Sequence, residues 1–288
     1  MIKKNIDSFN FSQIFTSKKN INSKFFNILG LQILRYLLAK ISFFISGFFF
    51  QNNDTVKNYY KDGIILIENF LSKKEFSNVH EEFLKIIDVE RRARKLYENS
   101  NKNSSIEYYL YEFEDSAFNK NNYPHLYNVL KNNKINDIFK FAERKKEIKL
   151  FMRLERVITK NELKHDDNAH WHVDTYHNTH KAWVYLTDIN KTNGPFNYIV
   201  GSNKFSFHRL FWEYTNSLKT VFYKNFLSFF LDQKYSDKFE KKKIEIICKK
   251  NSFMIANTHG YHRRGDAKTN QIRDGISFYT RENPFKII

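Results

Sequence analysis

The sequence predicts a mixed, mainly β fold: a double-stranded β-helix (jelly-roll) core with flanking helices. Three observations predict it. Strand-like stretches rich in β-branched and aromatic residues are short and recur along the chain, at residues 63–67 (GIILI), 149–158 (KLFMRLERVI), 181–186 (KAWVYL), 244–247 (IEII), 253–256 (FMIA) and 275–280 (GISFYT). The N-terminal part supplies a helical layer, which suits a double sheet better than a parallel α/β sheet. Eight Gly and three Pro leave few linkers, so the 288 residues read as one large domain with an extension.

Composition narrows the function classes. Aromatic residues make up 17% of the chain, which argues for a packed protein and against a disordered one. Cys248 is the single cysteine, so no intrachain disulfide is possible and a reducing, cytoplasmic location is expected. The formal charge of +17 accompanies heavy use of Lys, Asn, Ile and Phe together, as AT-rich coding would give. The basic residues are scattered, with no run resembling a nucleic-acid arm, so nucleic acid is not an expected partner. An anionic substrate or a negatively charged membrane surface is compatible with the charge. The oligomeric state is not legible.

Residues 1–24 are polar and Lys-rich and lack a small-residue cleavage site after an apolar core, so no secretory signal is expected. Residues 25–50 (FFNILGLQILRYLLAKISFFISGFFF) turn apolar over nearly a bilayer span, but enclose Arg35 and Lys40. Each mid-membrane charge costs roughly 2.5–3.5 kcal/mol. That cost disfavours a spanning helix and leaves two readings: one or two helices packed on the domain, or an anchor peripheral to the membrane surface. Ser72 and Glu75 form a capping box, opening a helix whose Phe76, Val79, Phe83, Ile86 and Ile87 share one face. The domain is placed at 55–288, after an extension at 1–54.

Residues 99–105 read as a loop, 108–113 as a strand and 126–141 as a helix. On the strand at 149–158, Arg153 and Glu155 share one face and Arg156 joins Met152 and Leu154 on the other. Arg153 and Glu155 line a polar cavity or pair with each other in solvent. Phe211, Tyr214, Leu218, Val221 and Phe222, Phe226 and Phe229 keep helical spacing over 210–231, within a helical insertion at about 206–232. Residues 234–243 are charged and read as exposed.

The chemistry gathers around residues 170–177 (HWHVDTYH). On an extended strand His172 and Asp174 project the same way, giving two thirds of the His/His/carboxylate triad of non-haem iron(II) oxygenases. Two later histidines, His259 and His262, are candidates for the third ligand. His165 and Asp167 repeat the spacing in a polar loop, without a strand to fix them. His170, His177 and His180 raise a zinc alternative, which the lone Cys248 does not support. His259 reads as an ordinary loop histidine, with a place behind the metal ligands as the alternative; His208 and Arg209 read as helix surface, with a substrate-facing position as the alternative; Asn193, Gly194 and Pro195 form a turn first, with any part in shaping the site secondary.

Taken together, WHVDTYH, KAWVYLTDI, NGPFNYIVGSNK, ANTHGYHRRG and RDGISFY, in that order and after the opening DGIILIENFLSKKEF, resemble the phytanoyl-CoA dioxygenase-like branch of the Fe(II)/2-oxoglutarate dioxygenases, over roughly residues 60–285. The resemblance implies a cupin-like jelly roll and an iron-dependent hydroxylase using 2-oxoglutarate and O2, with release of succinate and CO2. It implies His172, Asp174 and His262 as iron ligands, the spacing to Arg273 choosing His262 over His259. It implies that Arg273 holds the distal carboxylate of 2-oxoglutarate, for which a planar guanidinium fork is suited. Ser277 shares the face of Arg273 on a regular strand and adds a hydroxyl. Lys181 is a further candidate contact to an anionic group, with a solvent-facing side chain as the bland reading. Related halogenases carry a small residue where Asp174 stands, so the carboxylate points to hydroxylation. Substrates in the family are diverse; the apolar extension and the positive charge favour a lipid-like or anionic small molecule. The contrasting expectation is a non-catalytic binding or membrane-associated module on the same fold, and a third is a nucleic-acid oxygenase.

Overall fold

In the computed structural model the described residues are 15, 21, 23–50, 58–93, 106–113, 120–160, 167–223, 229–231 and 236–287. Among them the helices are α1 (Lys24–Ile28), α2 (Leu31–Gly47), α3 (Tyr59–Asp62), α4 (Lys73–Ala93), α5 (Pro124–Leu130), α6 (Asn133–Glu143) and α7 (Phe207–Phe222). The strands are β1 (Ile64–Ile67), β2 (Ile106–Phe113), β3 (Leu150–Thr159), β4 (His180–Tyr185), β5 (Phe196–Ile199), β6 (Lys243–Ile246), β7 (Phe253–Asn257), β8 (His262–Arg264) and β9 (Ile272–Thr280). They form a six-stranded sheet in the order β1-β7-β4-β9-β3-β2 and a three-stranded sheet in the order β6-β5-β8. Neighbouring strands pair antiparallel in both. This is a jelly-roll double sheet with flanking helices.

Alternation along the strands decides which side chains meet. On the outer face of the large sheet, Leu154, Val184, Phe253, Ile276 and Phe278 are buried together with Val79, Phe83 and Ile87 of α4 and Ile135 and Phe139 of α6. On the inner face, Tyr185, Met254 and Ala256 pack against Phe196, Tyr198 and Ile246 of the small sheet. Register places Trp183 opposite Ser277 and Glu155 opposite Gly275, so Lys181, Trp183, Arg273, Ser277 and Glu155 all belong to this inner face. Arg156 belongs to the outer face with Met152 and Leu154, where its guanidinium donates to both oxygens of Asp274 at 2.8 and 2.7 Å.

Helix α4 begins as its sequence dictates: the Glu75 N–H donates to Ser72 Oγ at 3.2 Å, and the Ser72 N–H to Glu75 Oε2 at 2.9 Å. The helix expected over 126–141 is two, α5 and α6, because the Asn132 side chain accepts the Ile135 N–H at 3.2 Å and starts a new helix. Helix α7 stops at Phe222, short of the expected 231. Residues 229–231 instead run beside the 171–173 segment, with Leu231 N–H donating to Trp171 O at 2.8 Å and Phe229 O accepting from Val173 N–H at 3.0 Å. Those tertiary bonds outweigh the local helical spacing. The loop expected at 99–105, the residues joining the extension to the domain at 51–57, and His165 lie outside the described residues.

The apolar stretch 25–50 forms α1 and α2, and no described helix is long and apolar enough to cross a membrane. Helix α2 packs on the domain with its charge inward: Arg35 is 0% exposed and lies 4.2 Å from the centre of the Tyr176 ring. Gln32 Oε1 accepts from its Nη1 at 3.1 Å.

Candidate metal centre

His172, Asp174 and His262 converge at the mouth between the sheets, each offering one ligand atom, all within 4.8 Å of one another. The expectation that His172 and Asp174 sit on a regular strand is corrected. His172 forms an isolated antiparallel bridge with His262, and Asp174 follows in a bend. The bridge is reciprocal: His172 N–H donates to His262 O at 2.9 Å, and His262 N–H to His172 O at 3.0 Å. One residue past Val173, the Asp174 N–H donates to Thr258 O at 3.0 Å, which ties the carboxylate-bearing bend to the loop leading to His262.

Both imidazoles are held in the same way. His172 Nδ1 is 2.8 Å from the carbonyl of His170, and His262 Nδ1 is 2.9 Å from that of Gly260. A carbonyl only accepts, so Nδ1 of each ring carries the hydrogen and the Nε2 lone pair is left for a metal. Asp174 divides its oxygens: Oδ2 makes an ion pair with Lys181 Nζ at 2.9 Å, while Oδ1 lies 3.8 Å from His262 Nε2. Lys181 thus pairs with the carboxylate while its side chain stays 42% exposed to solvent.

The electrostatics favour the ligand-ready protonation states. Burial alone would raise the Asp174 carboxyl, but the Lys181 ammonium and then the two imidazoles outweigh it and hold the group well below the usual carboxylate range. The His262 imidazole is pushed down to about 3, first by burial and then by His172 beside it. Two imidazoles, that of His262 held neutral, with an ionised carboxylate are the donor set of a facial triad with three open positions, which fits iron(II).

Arg273 is the second residue of β9, on the inner face, and its guanidinium donates to the carbonyl of Gly194 in the Asn-Gly-Pro turn. The Ser277 hydroxyl, four residues on along the same face, donates to Glu155 Oε1 at 2.5 Å. Glu155 is thus engaged by Ser277, while the Arg153 guanidinium lies over the Tyr279 ring. Phe196 stacks on the His262 ring at 5.4 Å and meets Trp183 at 5.3 Å, forming an apolar wall beside the cluster.

The other histidines do not join it. His170 is exposed and lends its carbonyl. His177 and His180 are buried elsewhere, with His180 Nδ1 3.1 Å from Glu143 Oε1. Among the described residues, His172, Asp174 and His262 are the His/Cys/Asp/Glu group able to hold an ion, which removes the basis for the zinc alternative.

Two expectations are corrected here. Arg209 is not helix surface, and His259 is not an ordinary loop histidine; both are buried. Arg209 Nη2 donates to Glu213 Oε1 at 2.9 Å and Nη1 to the His259 carbonyl at 3.1 Å. Helix α7 thereby braces the loop that carries His262. No sequence pattern marks this, because the Arg and Glu at i and i+4 also read as an exposed helix pair.

The same loop is set by close packing around Tyr198, whose hydroxyl donates to Asn257 O at 3.0 Å. A Cβ added at Gly260 would overlap that hydroxyl and ring. Gly260→Ala is therefore expected to shift the carbonyl that orients His262 and to weaken iron binding roughly tenfold or more, the scale of losing an outer partner of a metal ligand. Anaerobic equilibrium dialysis against iron(II) checks it.

A jelly roll that gathers two histidines and one aspartate at the mouth between its sheets has the architecture of the non-haem iron(II) oxygenases. The family model for phytanoyl-CoA dioxygenase (PhyH) matches residues 59–275, and the chain belongs to that family. It is an iron(II)- and 2-oxoglutarate-dependent dioxygenase that uses O2. Among solved structures, the fold is similar to that of the epimerase SnoN in complex with Fe3+, alpha ketoglutarate and nogalamycin RO (13% identity, TM-score 0.52, covering 79% of this chain and 82% of that one). It is also similar to EctD from S. alaskensis with bound Fe (15% identity, TM-score 0.51, covering 83% and 84%). A third is the carbocyclase SnoK from nogalamycin biosynthesis (14% identity, TM-score 0.50, covering 81% and 84%). No curated protein matches the sequence.

Proposed function

We propose that this chain hydroxylates a lipid-like or anionic small molecule, with 2-oxoglutarate converted to succinate and CO2. The observation that carries the reading is the pair of imidazoles locked through Nδ1 beside one ionised carboxylate, with ligand atoms within 4.8 Å. His172, Asp174 and His262 would hold iron(II) and leave three positions open for the 2-oxo acid and O2. Bound iron supplies the activation of O2 and the oxidising power.

The protein's own residues bind, orient and exclude water. The carbonyls of His170 and Gly260 hold both rings by Nδ1, and Lys181 draws Oδ2 of Asp174 aside so that a single oxygen faces the histidines. Arg273 receives the distal carboxylate of 2-oxoglutarate on the inner face, through two parallel charge-assisted hydrogen bonds. Ser277 would turn its one hydroxyl hydrogen from Glu155 to the incoming carboxylate further along that face, and Lys181 contributes positive charge where an anion arrives. Phe196 and Trp183 keep one side of the centre apolar. In this reading residues 55–288 are the catalytic unit with an insertion at 206–232. Residues 1–54 are an extension whose 25–50 stretch faces a membrane surface from the cytoplasm.

The test is anaerobic addition of 2-oxoglutarate to iron(II)-loaded protein. A new visible charge-transfer absorption is expected. If the spectrum does not change, the reading is lost. A screen for succinate release over lipid-like and anionic candidates then names the substrate.

A further inference from the structure

We propose that α1, α2 and α7 together build one docking face for an anionic lipid bilayer. The inference rests on the reading of residues 25–50 as membrane-facing and extends it to a helix far away in the sequence. Helix α2 buries polar side chains beside Leu31 and Ala39 and leaves large apolar ones outside. Its Gln32, Arg35, Tyr36 and Ser46 are buried, whereas Leu34, Ile41, Phe44 and Phe48 are exposed, Phe44 by 64%. Positions 34, 37, 38, 41, 44, 45 and 48 fall on one side at helical spacing, and every one is apolar.

Helix α7 repeats the arrangement. Arg209, Glu213, Asn216 and Ser217 are buried, while Phe207, Phe211 and Phe222 point outward, Phe211 by 68%. Side-chain contacts join the segments into one surface. The Tyr214 hydroxyl donates to Ile28 O at 3.0 Å, and Lys24 Nζ stands 5.3 Å from the centre of the Phe222 ring. Phe205 stacks on Tyr36 of α2 at 6.1 Å and meets Phe207 of α7 at 5.6 Å.

A contiguous apolar face of this kind marks an interaction site. Charge selects the occupant. Lys24, Lys204 and Lys219 are exposed along these elements, and residues 24–50 contain no Asp or Glu. The one acid of α7, Glu213, is buried against Arg209. Lysines at the rim reach anionic headgroups while the aromatic rings enter the acyl boundary. A second copy of the chain would set the same cations against each other.

The experiment is flotation of the full chain with vesicles of phosphatidylcholine alone or with phosphatidylserine. The double variants are L34E with F44E on α2 and F211E with F222E on α7, and melting followed by circular dichroism establishes that each is folded. Binding to the phosphatidylserine vesicles alone is expected, lost in high salt, and each double variant should cut the bound fraction at least tenfold. Reversal of Lys204 and Lys219 to Glu should lower it as well, without touching an apolar residue. Release by the α2 pair but not by the α7 pair overturns the composite face and leaves the reading of 25–50 standing. Absence of binding by the unaltered chain overturns both. A dimer broken by the same substitutions, in place of vesicle binding, makes the face a contact between copies and also overturns the proposal.

Discussion

Asp174→Ala is expected to abolish iron retention and all 2-oxoglutarate turnover. The carboxylate is the single anion of the cluster, 3.8 Å from His262 Nε2 and paired with Lys181 at 2.9 Å. Its removal takes away one of three ligands and leaves an ammonium facing the two imidazoles, so the vacated position repels a cation as well as failing to bind it. Outer partners of metal ligands are worth about 10- to 100-fold in affinity or activity, and a ligand lost together with its charge exceeds that range. Lys181→Met serves as the control, since it keeps the carboxylate and should be far milder. Iron content after anaerobic loading and dialysis gives the answer, with His172→Ala expected to behave like Asp174→Ala. Wild-type iron affinity in Asp174→Ala would place the metal elsewhere.

Arg273→Ala is expected to weaken 2-oxoglutarate at least about 100-fold while leaving iron binding intact. A hydrogen bond to a charged group is worth about 1.5–3 kcal/mol, and a bidentate guanidinium makes two. At about 1.4 kcal/mol per decade, the loss of both spans two or more decades. Arg273→Lys keeps the charge without the fork and should recover only part of the affinity. The Arg273 guanidinium also donates to the Gly194 carbonyl, so a structural role would loosen the Asn-Gly-Pro turn and disturb iron and 2-oxoglutarate alike. Titration of the charge-transfer absorption at saturating iron separates the two outcomes, and equal loss of both ligands overturns the assignment.

The strands were legible because two-residue alternation in runs such as KAWVYL and GISFYT survives into the folded sheet. The His172 and Asp174 pair was legible because its spacing is local, whereas His262 and Arg273 came through the resemblance to the family, the residues alone leaving His259 open as well. Two kinds of feature were hidden. The bridge beneath His172 and the tertiary bonds to residues 229–231 depend on chain that returns from far away in sequence. The orientation of α2 and α7 was hidden for a different reason. Periodicity locates a helix's apolar face, and burial is the default destination for it. In both helices the polar side was buried instead, with Arg209 held by Glu213 and by the His259 carbonyl, so a correct pattern pointed the wrong way. Arg209 was missed through that same reversal, and His259 with it because Arg209 is the partner that meets its ring and carbonyl.

The mutual backbone pairing of His172 and His262 has a consequence for the life of the protein as well as for its chemistry. Two of the ligating side chains hang from residues that close a long loop against each other, and the lone bridge does so with two hydrogen bonds. An ion shared by both rings adds a second clasp across that closure, and anything that binds only the folded chain stabilises it, by about 2.7 kcal/mol at a hundred times its dissociation constant. Iron supply would then set how long the enzyme persists as well as how fast it works, and a starved cell would lose the protein along with the activity.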